Sequence, residues 1–236
     1  MDFRRFTGLS YVDRAPTRDG RTVPLGVTRL LPEHVVWWQT NVQPVVDRDP
    51  TRADNGWNWL LYAPFTFVAG TAIAHAPAGY AVELVTGEEE GDRVPCALVL
   101  LVGRMRALDQ RRKRSAFVWF LTTAPEAALR RLPETTLGRN DVPKRMGGIA
   151  LDVAVTHSFN TGNRGRVGLH AAEEGGEALL AWYEKQGMAR LPPHKPLPRG
   201  FRRVVAPSDG RYCYFTPRTA LAASRRYDPL RPGRRD

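Results

Sequence analysis

The run Arg145-Met146-Gly147-Gly148-Ile149-Ala150 sets a basic residue and a glycine pair at the start of an apolar helix pattern. Such a turn leaves backbone N–H groups free at a helix N-terminus, and together with the helix dipole these form a ready anion site. Glycine at the turn lets the backbone come close to a pyrophosphate. The chain then runs through a strand pattern at Val167–Ala171 into a helix pattern carrying Trp182-Tyr183 and stopped by Gly187. The order turn, helix, strand, helix puts the anion site inside an α/β core. A second source of chemistry is charge. The formal net charge is +11, and arginine carries nearly all of it, because the only lysines are Lys113, Lys144, Lys185 and Lys195. Clusters occur at Arg111-Arg112-Lys113-Arg114, Arg130-Arg131, Arg202-Arg203 and Arg225-Arg226. One reading is attraction to polyanions such as nucleic acid or phosphorylated cofactors; the other is an arginine-rich solvated surface. Aromatics do not interleave with the clusters as base-stacking platforms would require.

The elements that must hold this chemistry follow from patterning. At 236 residues with 42% hydrophobic and 25% charged content, the chain suits one soluble packed domain. No apolar run reaches the length of a membrane helix, and the first residues lack the apolar core of a signal peptide. Cys96 and Cys213 make neither a disulfide framework nor a metal cluster, and each lies in an apolar run. They read as buried free thiols in a reducing cytoplasm, and no metal is expected. Residues 1–30 read as an extended arm, and His34–Val46 has helical spacing after Pro32-Glu33. Asp54-Asn55-Gly56 precedes a short aromatic helix, Trp57–Tyr62. Strands are predicted at Phe65–Ala74, Gly79–Val85, Cys96–Val102 and Ala116–Thr122, with Glu88–Arg93 as an acidic turn. Helices are predicted over Gly147–Phe159 and Glu177–Gln186, with His157 as a surface or capping group. Phe201–Val205 and Arg211–Phe215 read as a closing hairpin, and residues 225–236 as a basic disordered tail. The predicted class is α/β (α+β), a mixed, mostly antiparallel sheet flanked by helices. The division is a single domain over 1–224, with an insertion at 126–144.

These residues resemble the GNAT superfamily of acyl-CoA-dependent N-acetyltransferases. Its pyrophosphate turn, Arg or Gln, two residues, Gly, one residue, Gly or Ala, is matched by Arg145–Ala150, and its Tyr-x-x-x-Gly signature by Tyr183–Gly187. Gly165–Ala171, Trp57-Asn58-Trp59 and Ala124-Pro125 are similar to one subgroup in particular. The close match covers 116–188. The resemblance implies acetyl-CoA as co-substrate, held by Arg145, Met146, Gly147, Gly148, Ile149 and Ala150 at its pyrophosphate and by Leu121, Thr122 and Thr123 along its pantetheine arm. It implies that Tyr183 protonates the departing thiolate, that Glu126 or His170 is a candidate base for an amine acceptor, and that Trp57 and Trp59 are candidate walls of an acceptor pocket. The chain departs from the pattern in the 19 residues between Pro125 and Arg145, in Gly175-Gly176 where an Asn is common, and in Met188 where an aromatic is common. The activity implied is acetyl transfer to an amine. The alternatives are a catalytically silent CoA-binding module and a toxin-like acetyltransferase acting on aminoacyl-tRNA. The sequence names neither the acceptor nor the oligomeric state.

Overall fold

A computed structural model describes residues 9–73, 75–87, 93–131, 142–198 and 207–232. The expected acidic turn and the Phe201–Val205 half of the expected hairpin fall outside them, apart from Arg93. Among these residues eight strands form one mixed sheet in the order β1-β2-β3-β4-β5-β6-β8-β7. They are β1 Arg14–Pro16, β2 Thr22–Arg29, β3 Pro77–Val85, β4 Arg93–Arg106, β5 Arg114–Thr123, β6 Val167–His170, β7 Ala189–Arg190 and β8 Tyr212–Phe215. Every pairing is antiparallel except β5 with β6.

The sheet is covered on both faces, which explains the nearly unbroken apolar run in β4. Successive strand residues point to opposite faces. Leu98 and Leu100 pack on one side with α1 (Pro32–Asn41), α2 (Gln43–Val46) and α3 (Trp59–Ala72). Ala97, Val99 and Leu101 pack on the other with α5 (Met146–Asn160). α5 is itself buried almost from end to end. Short α4 (Glu126–Leu129) follows β5, and α6 (Gly176–Gln186) and α7 (Pro217–Arg225) complete the helices. Both thiols are buried, and burial pushes Cys96 up to about 12 and Cys213 up to about 11. No helix among the described residues is long and apolar enough to cross a membrane.

Three expectations are corrected. Phe65–Ala74 is not a strand, because α3 runs on to Ala72. Its continuous apolar residues fit a buried strand as well as a buried helix. The Asn58 side chain, accepting from Leu61 N–H at 3.2 Å, caps a helix that Pro64 enters without ending. Residues 225–232 are not a loose tail. The Thr216–Thr219 capping box starts α7, which ends at Arg225, a 3-10 turn spans Asp228–Leu230, and Arg231 is buried against Asp152 at 2.7 Å. Strand β8 pairs with β6 and β7.

His157 is a buried member of the core rather than a surface cap. Its Nδ1 lies 2.8 Å from the Tyr80 hydroxyl and its Nε2 is buried. Burial, with Arg29 nearby, lowers its pKa to about 4, so the ring is neutral and Tyr80 donates to Nδ1. The unfolded chain takes up this proton below about pH 6.5, the folded chain only near pH 4. Stability present above pH 6.5 is therefore lost as pH falls through that window, by about 3 kcal/mol from this group. Denaturant melts of wild type and His157→Gln at pH 7 and pH 4.5 test this. The fall in stability should be the smaller in the variant, and equal falls would refute the assignment.

Candidate functional site

The glycine turn keeps its predicted role as a helix start. Arg145 is the N-cap of α5 with φ 61°, a left-handed conformation uncommon for a residue with a side chain. The helix's first backbone bond runs from Ile149 N–H to the Arg145 carbonyl at 3.0 Å. The N–H groups of Met146, Gly147 and Gly148 are thus the donors a helix N-terminus leaves over. All three residues line a cavity of about 1230 Å³.

The opposite wall is the far half of β5, and the sheet opens there for a local reason. β6 pairs only with Ala116, Phe117 and Val118. At that point the pairing of β5 with β4 slips by one residue, leaving Trp119 as the bulged position. From Trp119 to Thr123 the edge of β5 that β6 covers earlier has no strand beside it among the described residues. Leu121, Thr122 and Thr123 all line the cavity. Two of their polar groups are already engaged. The Thr122 hydroxyl donates to buried Asp54, and the Thr123 carbonyl accepts from Arg52 at 2.8 Å, the same guanidinium that binds Asp54.

Tyr183, on α6, lines the cavity and is only 8% exposed. Burial raises its phenol, so Oη holds its proton. The left-handed turn that lets the chain leave the helix beyond it is made by Gly187, at φ 99°. His170 lines the same cavity, its Nε2 2.6 Å from Asp209 Oδ2 and its ring against Tyr212. Burial raises the Asp209 carboxyl, but its bonds to His170 and the Arg211 N–H outweigh that and leave it lowered.

Glu126 also lines the cavity but is poorly suited to act as a base. Its carboxylate accepts from Lys144 at 2.7 Å and from Arg130 at 2.5 Å, and these bonds lower its pKa to about 2. A carboxylate so stabilised has little pull on a proton. The two predicted aromatic walls separate. Trp57 lines the cavity, edge-on to Phe120 at 5.2 Å. Trp59 is wholly buried, 6.4 Å from Trp38, and is core packing. Ile149 and Ala150 are likewise buried in α5 away from the cavity and support the turn from beneath.

Sequence reading missed Arg226 and Tyr227. Both line the cavity because the chain after α7 crosses the start of α5. Arg226 donates to the Gln186 carbonyl at 2.9 Å, and a Cβ on Gly148 would fall on the Tyr227 hydroxyl. Any side chain at 148 would have to push the Tyr227 ring away from the start of α5. Asp209, which lies between the two strands of the expected hairpin, has no expected role in the sequence either. The aromatic Tyr227-Asp228-Pro229-Leu230 run, unusual for a loose tail, was the available signal.

No protein-family model matches the sequence, and no curated protein matches it significantly. Solved structures similar to this chain are GNAT-family acetyltransferases. One, from Staphylococcus aureus, is 9% identical with a TM-score of 0.46, over 80% of this chain and 97% of its own. Another, the spermidine N-acetyltransferase of Vibrio cholerae in complex with CoA and spermine, is 16% identical with a TM-score of 0.46, over 84% of this chain and 98% of its own.

Proposed function

We propose that the cavity binds acetyl-CoA and that the chain transfers its acetyl group to an amine. The observation that carries this is convergence: the α5 turn with its left-over amides, the uncovered edge of β5 and Tyr183, which holds its phenolic proton, all line one cavity. The fit is chemical as well as spatial. The Gly147 and Gly148 amides and the Arg145 and Arg226 guanidiniums suit a pyrophosphate, and the β5 edge suits an amide-bearing arm. When bound, acetyl-CoA supplies an activated thioester. Tyr183 then holds a proton at Oη for the departing sulfur. His170, oriented by Asp209, is the better candidate to take up the amine's proton, in place of Glu126. Holding the two reactants in one cavity supplies much of the rate.

Thermal unfolding with and without acetyl-CoA tests the binding half. Ligand at ~100 times its dissociation constant adds roughly 2.7 kcal/mol of apparent stability. Gly147→Asp is the informative variant. An aspartate in the first turn suits the helix dipole and preserves folding, while its charge repels a pyrophosphate. Its Cβ would come within 3.1 Å of the Trp182 ring, a contact a small ring shift relieves. The expected result is a shift in wild type and none in the variant. Equal shifts would sink the assignment of the turn. Release of free CoA with a panel of primary amines then separates an acetyltransferase from a silent CoA-binding module. Turnover only with aminoacyl-tRNA would favour the toxin-like reading.

A further inference from the structure

A second cavity, of about 650 Å³, lies at the other end of α5. Fifteen residues of helix, about 22 Å at 1.5 Å per residue, separate it from the first. Its walls come from the end of β2, the start of β3, the β4–β5 turn and the loop between α5 and β6. Arg104, Arg112, Lys113, Arg114 and Arg164 line it, all exposed and none with a carboxylate partner among the described residues. Arg29, stacked on Tyr80 at 5.1 Å, and Arg166, bound to Asp109 at 3.3 Å, complete the lining cations. Among the described residues, no carboxylate lines the cavity.

Cations can gather at a helix C-terminus simply to satisfy its last carbonyls. Here that need is met internally. The His157, Ser158 and Phe159 carbonyls accept from the N–H groups of Thr161, Asn163 and Gly162 at 2.9, 2.8 and 3.1 Å. Five like charges around one concavity repel one another, and no carboxylate among the described residues pairs with any of them. A second observation is independent of charge. His157 forms part of the cavity lining, is 6% exposed, and has a buried Nε2 without a partner among the described residues. With Nδ1 accepting from Tyr80, Nε2 carries the hydrogen, so an unsatisfied donor adjoins the cations. Arginine forks and a neutral N–H together suit phosphate oxygens.

We propose that this cavity is a second ligand site, specific for a compact phosphate-rich anion such as an oligophosphate or a polyphosphorylated small molecule. Its shape favours that class over a nucleic-acid strand. The cations converge from three parts of the fold on one concavity instead of following a stripe, and the lining among the described residues offers no Phe, Tyr or Trp for base stacking.

Calorimetric titration of inorganic tripolyphosphate into the full chain tests this. Four proteins are compared: wild type, Gly147→Asp, the double variant Arg104→Glu/Arg164→Glu, and the control Arg48→Glu/Arg218→Glu. The control reverses the same number of exposed charges elsewhere. Binding should persist in Gly147→Asp and in the control, and weaken at least tenfold in Arg104→Glu/Arg164→Glu. Restoring charge with Arg104→Lys/Arg164→Lys should recover part of the affinity. Loss in Gly147→Asp with none in the cavity variant would assign the ligand to the first cavity and overturn the proposal. Equal weakening in the control would reduce it to a non-specific charge effect and also overturn it. Failure of tripolyphosphate to bind wild type would do the same, including where an RNA or DNA duplex binds.

Discussion

Arg231→Ala is expected to lower the free energy of unfolding by about 3–5 kcal/mol, the cost of removing one partner from a buried ion pair. The Arg231 guanidinium is 2.7 Å from Asp152 Oδ2 and 2.7 Å from Ser224 Oγ, and it also donates to the Ser10 carbonyl. Asp152 sits in the middle of α5 at 3% exposure. Burial raises its pKa to about 6 against the pull of Arg231 and Ser224. Without Arg231 the same burial acts unopposed by any cation among the described residues, and the folded state must protonate Asp152 or carry a lone buried charge. A carboxyl whose folded pKa is raised binds protons more tightly in the fold, so its penalty grows as pH rises. The loss in Arg231→Ala should therefore be larger at pH 8 than at pH 5. Denaturant melts at both values read this directly. Asp152→Leu/Arg231→Met should recover most of the stability, because well-packed apolar residues often replace a buried pair at little cost. A loss below about 0.5 kcal/mol, typical of a surface substitution, would show that the pair is not part of the core. The effect reaches the first cavity as well. Arg231 anchors the segment that lays Arg226 and Tyr227 against α5, so the variant's stabilisation by acetyl-CoA should also shrink.

That anchor shows where sequence reading stopped. The stretch 116–188 was legible because its signals are local: the glycine pair before an apolar helix, the strand after it, and Gly187 four residues beyond Tyr183. Each announces an element within a few residues of itself. The Asp152–Arg231 pair joins residues 79 apart in the chain. One is an acidic residue in an apolar helix, and the other an arginine in a run of arginines and prolines. Either alone reads as solvent-facing. The second half of helix α3, beyond the expected short helix Trp57–Tyr62, was lost for a different reason, since apolar residues on every side of Phe65–Ala72 erase the period that separates helix from strand. Trp57 and Trp59 show the same limit within one motif. Two residues apart, one turns to the cavity beside Phe120 and the other into the core beside Trp38, and the difference comes from what packs on each. Glu126 looked like a free carboxylate because Lys144 reaches it across 18 residues, from the far end of the insertion.

Tyr183→Phe is expected to lower kcat by ~10²-fold or more, within the range for loss of a positioned proton donor, while leaving the fold and acetyl-CoA binding intact. The phenol ring is packed in the core, and phenylalanine keeps that volume. Only Oη is removed, so the melting temperature and the acetyl-CoA-induced shift should stay close to wild type. Free-thiol release with the best amine of the panel reads the rate. The split between parameters is the diagnostic part. A donor that acts on the departing sulfur serves the transition state, so kcat should fall while KM for acetyl-CoA moves little. Burial raises the Tyr183 phenol above its ordinary value. The proton therefore stays on Oη throughout the alkaline range in which an amine acceptor is neutral and nucleophilic, and no alkaline loss of rate should trace to this residue up to about pH 10. A rate within threefold of wild type would leave Tyr183 as a core aromatic at helical spacing. The thiolate would then have to take its proton from water or from the amine itself, and His170 with Asp209 would remain the cavity's chief means of moving protons.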